Sequence, residues 1–153
     1  MTSPPPPAVW PAFRARDARA VIRFLVDTLG FTETAVYGEG DAVAHAQLDW
    51  PPGGGVMLGS VRDVPDDPWP AQPGTAAAYL VTDDVDVVHA RAVVAGADVV
   101  RAPYDTDHGG REFAVRDPEG NLWSVGSYRG EPRVEPVDGS TSVSRTGPGR
   151  RRR

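Results

Sequence analysis

His45 and Glu112 are the residues whose types and spacing best suit acid–base chemistry, an imidazole that titrates near neutrality and a carboxylate that can orient it. Read structurally, the same two are a hydrogen-bonded pair bracing a wall. Arg14 and Arg111 offer planar forks for an anionic ligand, or for salt bridges to nearby acids. Trp10, Tyr79 and Met57 supply broad apolar surface with few polar demands, as a site for a flat organic molecule needs. Gln47 and Ser124 add neutral polar contacts. His89 falls in a helical stretch and His108 in a Gly-rich loop, and both read as surface residues. There is no cysteine, which excludes disulfides, thiolate catalysis and cysteine-bound zinc. No Ser-His-Asp spacing, phosphate-binding Gly-Lys loop or dinucleotide fingerprint is present. Gly53-Gly54-Gly55 reads as a hairpin turn, because no helix follows it.

What positions these residues is an internal repeat. Asp117-Pro118-Glu119-Gly120-Asn121-Leu122-Trp123-Ser124-Val125-Gly126 reads as a tight turn feeding a strand, with Gly120 and Asn121 at left-handed positions. A degraded copy, Trp50 to Ser60, lies 67 residues upstream: Pro51 matches Pro118, Gly53 matches Gly120 and Gly59 matches Gly126. The helix-capping aspartates Asp17 and Asp84 stand at the same offset, and the terminating glycines Gly30 and Gly96 within one residue of it. Strands are expected over 9–15, 31–37, 42–49 and 56–61, then over 75–81, 98–102, 112–116 and 122–128. Helices follow Asp17 and Asp84, and 104–110 reads as a polar loop. The fold class is therefore α+β, with β-α-β-β-β occurring twice. The repeats span 8–61 and 75–128, joined by a Pro-rich linker over 62–74. Neither repeat can bury both its helix and its sheet alone, so the two must pair into one domain over 8–128.

Period-two alternation sorts the strand residues by face. One face collects Phe13, Ala46, Leu48, Val56, Phe113, Trp123 and similar residues and belongs under the helices, with Trp123 as a core anchor. The other carries Trp10, Arg14, His45, Gln47, Met57, Tyr79, Glu112 and Ser124. A dry core there would bury charge without partners, so this face should line a cavity or an interface.

Composition narrows the partners. At 40% hydrophobic and 24% charged residues the chain is of ordinary globular type. No apolar run is long enough to span a membrane and no secretory signal is evident, which together with the lack of cysteine fits a cytoplasmic protein. From Arg129 onward seven arginines face three acids, giving a tail of net +4 and leaving −9 elsewhere. So acidic a body argues against nucleic-acid binding by the domain. Residues 1–7 and 129–153, including the Arg150–Arg153 run, read as disordered.

The doubled order and the Asp-Pro-Glu-Gly-Asn-Leu-Trp turn resemble the vicinal oxygen chelate superfamily, in its glyoxalase and bleomycin-resistance-like branch. Asp17, Leu29-Gly30-Phe31 and the segment Gly110 to Pro118 strengthen the likeness. The resemblance implies sheets curled into a cup with helices outside, and a homodimer with ligand sites shared across its interface. In catalytic members it places metal ligands at positions that correspond here to Trp10, Met57, Ala77 and Ser124. Those side chains do not form a ligand set, since a divalent ion there needs imidazole or carboxylate donors. The resemblance thus points to the metal-free, drug-binding end of the superfamily, with no cofactor. The expected function is binding of a small organic molecule, such as sequestration of a drug or antibiotic in resistance. Two alternatives remain: an enzyme of the lyase, isomerase or dioxygenase type using His45 and Glu112 or an unusual metal site, and an interaction module with a filled cup.

Overall fold

The computed structural model describes residues 3, 5–68 and 72–134. The Arg150–Arg153 run and residues 69–71 of the linker lie outside the described residues. The first repeat runs β1 (Ala12–Ala15), α1 (Ala18–Arg23) continuing as a π-helical turn over Phe24–Leu29, β2 (Thr32–Tyr37), β3 (His45–Asp49) and β4 (Gly55–Ser60). The second runs β5 (Ala77–Val81), α2 (Val85–Val94), β6 (Asp98–Asp105), β7 (Arg111–Arg116) and β8 (Leu122–Gly126). Each makes a four-stranded mixed sheet, in the orders β1-β4-β3-β2 and β5-β8-β7-β6, whose first pair is parallel and whose others are antiparallel. Among the described residues the sheets do not join through β1 and β5 and form no single closed cup.

The repeat holds at the level of single hydrogen bonds. Gly120 N–H donates to Asp117 O at 3.0 Å and Asp117 N–H to Asn121 O at 3.0 Å. The same turn occurs 67 residues earlier, where Gly53 N–H donates to Trp50 O at 2.8 Å and Trp50 N–H to Gly54 O at 2.9 Å. The parallel register repeats as well, with Ala12 opposite Met57 and Tyr79 opposite Ser124. The one-residue mismatch between Gly30 and Gly96 is absorbed by the π-helical turn, which accommodates one extra residue before Gly30 takes its left-handed conformation at φ 93°.

Local chemistry departs from expectation at several points. Asp17 caps α1 by accepting from Ala20 N–H at 3.0 Å. Asp84 makes no such bond, and its own N–H donates to Thr82 Oγ1 at 3.1 Å. β1 begins only at Ala12, because Pro11 has no amide to donate, and Val9 is 83% exposed rather than under the helices. β6 runs three residues past the expected end, because bulges between Val99 and Tyr104 carry the ladder past Pro103. Asn121 does not take a left-handed conformation; only Gly120 in that turn does, at φ 101°.

Asn121 is instead 1% exposed and part of a buried polar knot. Asp117 accepts from Glu119 N–H, Asn121 N–H, Asn121 Nδ2 and Trp123 Nε1 at 2.8–3.1 Å. Asn121 Oδ1 accepts from Ala76 N–H at 3.0 Å, tying the turn to the approach to β5. Above this knot the repeats meet. Trp123, 2% exposed, packs edge-on to Phe13 and Phe31, with ring centroids 6.0 and 5.8 Å away. Trp50 Nε1 donates to Val81 O at 2.9 Å, a second link between repeats. The anchor role expected of Trp123 is what the structure shows.

Candidate functional site

Burial alternates along the central strands as the face assignment requires. Ala46, Leu48, Val56, Leu58, Phe113, Val115, Trp123 and Val125 are buried, while His45, Gln47, Met57, Glu112, Ala114 and Ser124 on the opposite face are partly open. That second face forms two separate hollows. The first, about 300 Å³, lies on the sheet of the first repeat and is lined by Ala12, Arg14, His45, Met57, Gly59 and Arg62 among others. The second, about 340 Å³, lies on the other sheet and includes Arg101, Tyr104, Glu112, Ala114, Leu122 and Ser124. Each is lined by a single repeat. A polar hollow of about 360 Å³ adjoins the second at Tyr104 and Glu112 and reaches Asp107 and His108.

In the first hollow the backbone of Gly59 makes room for Arg14. A Cβ at Gly59 would stand 2.9 Å from Arg14 Nη1, so any larger residue would push the guanidinium aside. His45 lies parallel to the Tyr37 ring, 6.3 Å between centroids and 15° between planes. Met57 is flanked by Ala12 and Gln47 across the strands, and Gln47 Nε2 donates to Asp49 Oδ1 at 3.0 Å. Trp10 lies just before β1, its ring over Gly55 and its Nε1 donating to Pro7 O at 3.2 Å.

In the second repeat Gly126 plays the part of Gly59, but the side chain it admits is the Tyr79 ring. Tyr79 Oη accepts from Tyr128 N–H at 3.0 Å, and burial raises its pKa above the ordinary tyrosine value. Tyr104 donates a short hydrogen bond to Glu112, which is the main reason its own pKa is raised. The Arg101 guanidinium sits 3.6 Å from the centre of the Tyr104 ring. Glu112 is therefore a committed acceptor.

The structure thus brings Arg14, His45 and Met57 into one hollow and Glu112 and Ser124 into another; His45 and Glu112 do not share one. Arg111 lies on the helix side, its guanidinium bridging Asp86 and Asp105 at 3.0–3.1 Å. That bond holds Asp86 below the ordinary carboxylate range and raises Arg111. His89 is half-buried edge-on to Phe113, 5.2 Å between centroids, rather than free on the surface. Arg62, Arg101 and Tyr104 were not expected in a site. Arg101 and Tyr104 were hidden by the bulges, which break strand alternation. Arg62 carried a signal, since Arg129 stands at its repeat position.

Trp10, Met57, Ala77 and Ser124 bring no imidazole or carboxylate, and the register neighbours of Met57 and Ser124 are Ala12 and Tyr79. Among the described residues, no three His, Asp or Glu side chains gather as a metal site requires.

Comparison with known proteins places this geometry. Over 58 residues, 38% of this chain, it is 36% identical to the putative glyoxylase CFP32 of Mycobacterium tuberculosis (strain CDC 1551 / Oshkosh); the match spans 22% of that protein's length. Similar solved structures include TioX from Micromonospora sp. ML1, 30% identical with a TM-score of 0.62, covering 77% of this chain and 94% of TioX. TnmS3, an antibiotic binding protein from Streptomyces sp. CB03234, is 28% identical with a TM-score of 0.58, covering 77% of this chain and 93% of TnmS3. A lactoylglutathione lyase from Agrobacterium tumefaciens, 23% identical with a TM-score of 0.59 over 80% of this chain and 94% of the lyase, shares the fold. The family model described as Glyoxalase/Bleomycin resistance protein/Dioxygenase superfamily matches residues 8–125, and with the doubled β-α-β-β-β topology this makes the chain a member of that superfamily.

Proposed function

We propose that the chain binds a small organic molecule, and that two copies associate so that the first hollow of one closes against the second hollow of the other. The observation that carries this is that each hollow is open and lined by one repeat alone. Each is therefore half of an enclosure, with Met57 or Tyr104 as apolar surface, Ala12 or Ala114 leaving space, and a few polar groups for orientation. The likeness to TnmS3 supports an antibiotic or similar molecule as the ligand, and sequestration as the use made of binding. A catalytic role for His45 and Glu112 would require them to meet across the interface, and the bond from Tyr104 to Glu112 speaks against a free general base. Sedimentation velocity should give twice the mass of one chain, and a thermal-shift screen of aromatic natural products should raise the melting temperature. A monomer that no such compound stabilises would overturn the proposal, and would favour an interaction module.

A further inference from the structure

We infer that the first hollow holds the anionic group of a planar organic ligand, a carboxylate, sulfonate or phosphate, between Arg14 and Arg62 with His45 beside it. This rests on the small-molecule reading above and narrows it to a chemical class. The residues lining that hollow include two arginines and a histidine and no acid, in a chain of net charge −5. A cationic recess in an acidic protein is a local arrangement, because the overall field would repel an anion.

The repeat supplies an internal control. The residue equivalent to Arg14 in the second repeat is Val81, and the residue equivalent to His45 is Glu112. The counterpart of Arg62 is Arg129, whose guanidinium is taken up by Asp83 at 2.7 Å. The second hollow also holds arginines, Arg101 and Arg116, but sets Glu112 among them, so a cationic recess without an acid occurs in one repeat only. The two equivalent glycines make the same point, since Gly126 makes room for the Tyr79 ring and Gly59 for a guanidinium. Arg14 springs from β1 and is half-buried against the Gly59 backbone, which fixes its fork, while Arg62 follows β4 and is exposed. A half-buried arginine with an exposed one beside it suits bidentate capture of an oxyanion, and Met57, Ala12 and Ala44 leave an apolar bed for a flat ring system.

The test uses 2-naphthoate and its neutral amide, 2-naphthamide, titrated by calorimetry into the full chain, the Arg14→Met variant and the Arg62→Met variant. Naphthoate should bind about ten-fold more tightly than the amide, as a charge-assisted hydrogen bond allows, and should weaken with added salt. Each substitution should remove most of that preference and leave amide binding little changed. Arg62 is exposed, so its variant stays informative if Arg14→Met fails to fold. Equal binding of the two probes, or an equal loss for both in the variants, would overturn the anion assignment and leave small-molecule binding intact. Absence of binding by either probe would count against both.

Discussion

Asp117 shows how much one buried side chain can organise. Its carboxylate takes four hydrogen bonds, two from Asn121, one from Trp123 and one from Glu119. Asp117→Ala would leave the Trp123 indole N–H and the Asn121 amide buried without an acceptor, at about 1–3 kcal/mol for each such group. We expect a loss of at least about 2 kcal/mol, measured by urea denaturation; a change below about 0.5 kcal/mol would mean that water replaces the carboxylate. The turn itself was legible in the sequence because Pro118 and Gly120 are turn residues with a mechanism. The knot was not, since an Asn in a turn reads as a left-handed residue, and only the packed structure shows its amide reaching Ala76. The sidedness of the central strands was legible for a similar reason: strand alternation is strict where no bulge intervenes, so His45, Met57, Glu112 and Ser124 fall on the partly open face.

At the scale of elements, the joint between repeats is carried by backbone as much as by core. Glu119, in the turn before β8, accepts from Arg16 N–H at 2.6 Å and Asp17 N–H at 3.0 Å, just before α1. A carboxylate at this point satisfies amides near a helix start and faces the positive end of its dipole. Glu119→Ala should cost about 1 kcal/mol by thermal unfolding, and Glu119→Gln less; no change in either would show the contact to be incidental. No sequence pattern marks this residue, because its partners lie a repeat away. The bond from Arg111 to Asp86 ties α2 to β7. Since Asp86 is held below its unfolded value, the stabilisation it gives is present above the ordinary carboxylate range and is lost as pH falls through its folded value. Asp86→Asn should therefore lower stability at neutral and alkaline pH, leave it unchanged at the acid extreme where the carboxylate is protonated, and so flatten the acid limb of the stability–pH curve. The effect should be small, since the pair is exposed. The π-helical turn explains why the two helices, aligned at their starts by Asp17 and Asp84, end one residue out of step.

For the whole molecule, the repeat announced the fold and its doubling, but not how the two cups would be completed. Each repeat offers a face of mixed chemistry, and the chain turns those two faces into separate hollows rather than one. Sequence alternation could assign side chains to a face, but it could not say which faces meet, because that depends on packing through Trp123, Phe13 and Trp50. The central claim is that a ligand site needs the first hollow of one copy and the second hollow of another. Complementation tests it most directly. Met57→Trp should fill the first hollow and Ser124→Trp the second, so that each variant alone loses binding of 2-naphthoate in calorimetry. An equimolar mixture, after subunit exchange, contains mixed pairs in which one site is unblocked on both sides. The account predicts that the mixture regains binding at one site per mixed pair; binding retained by either variant alone, or a mixture that stays inactive, would contradict it.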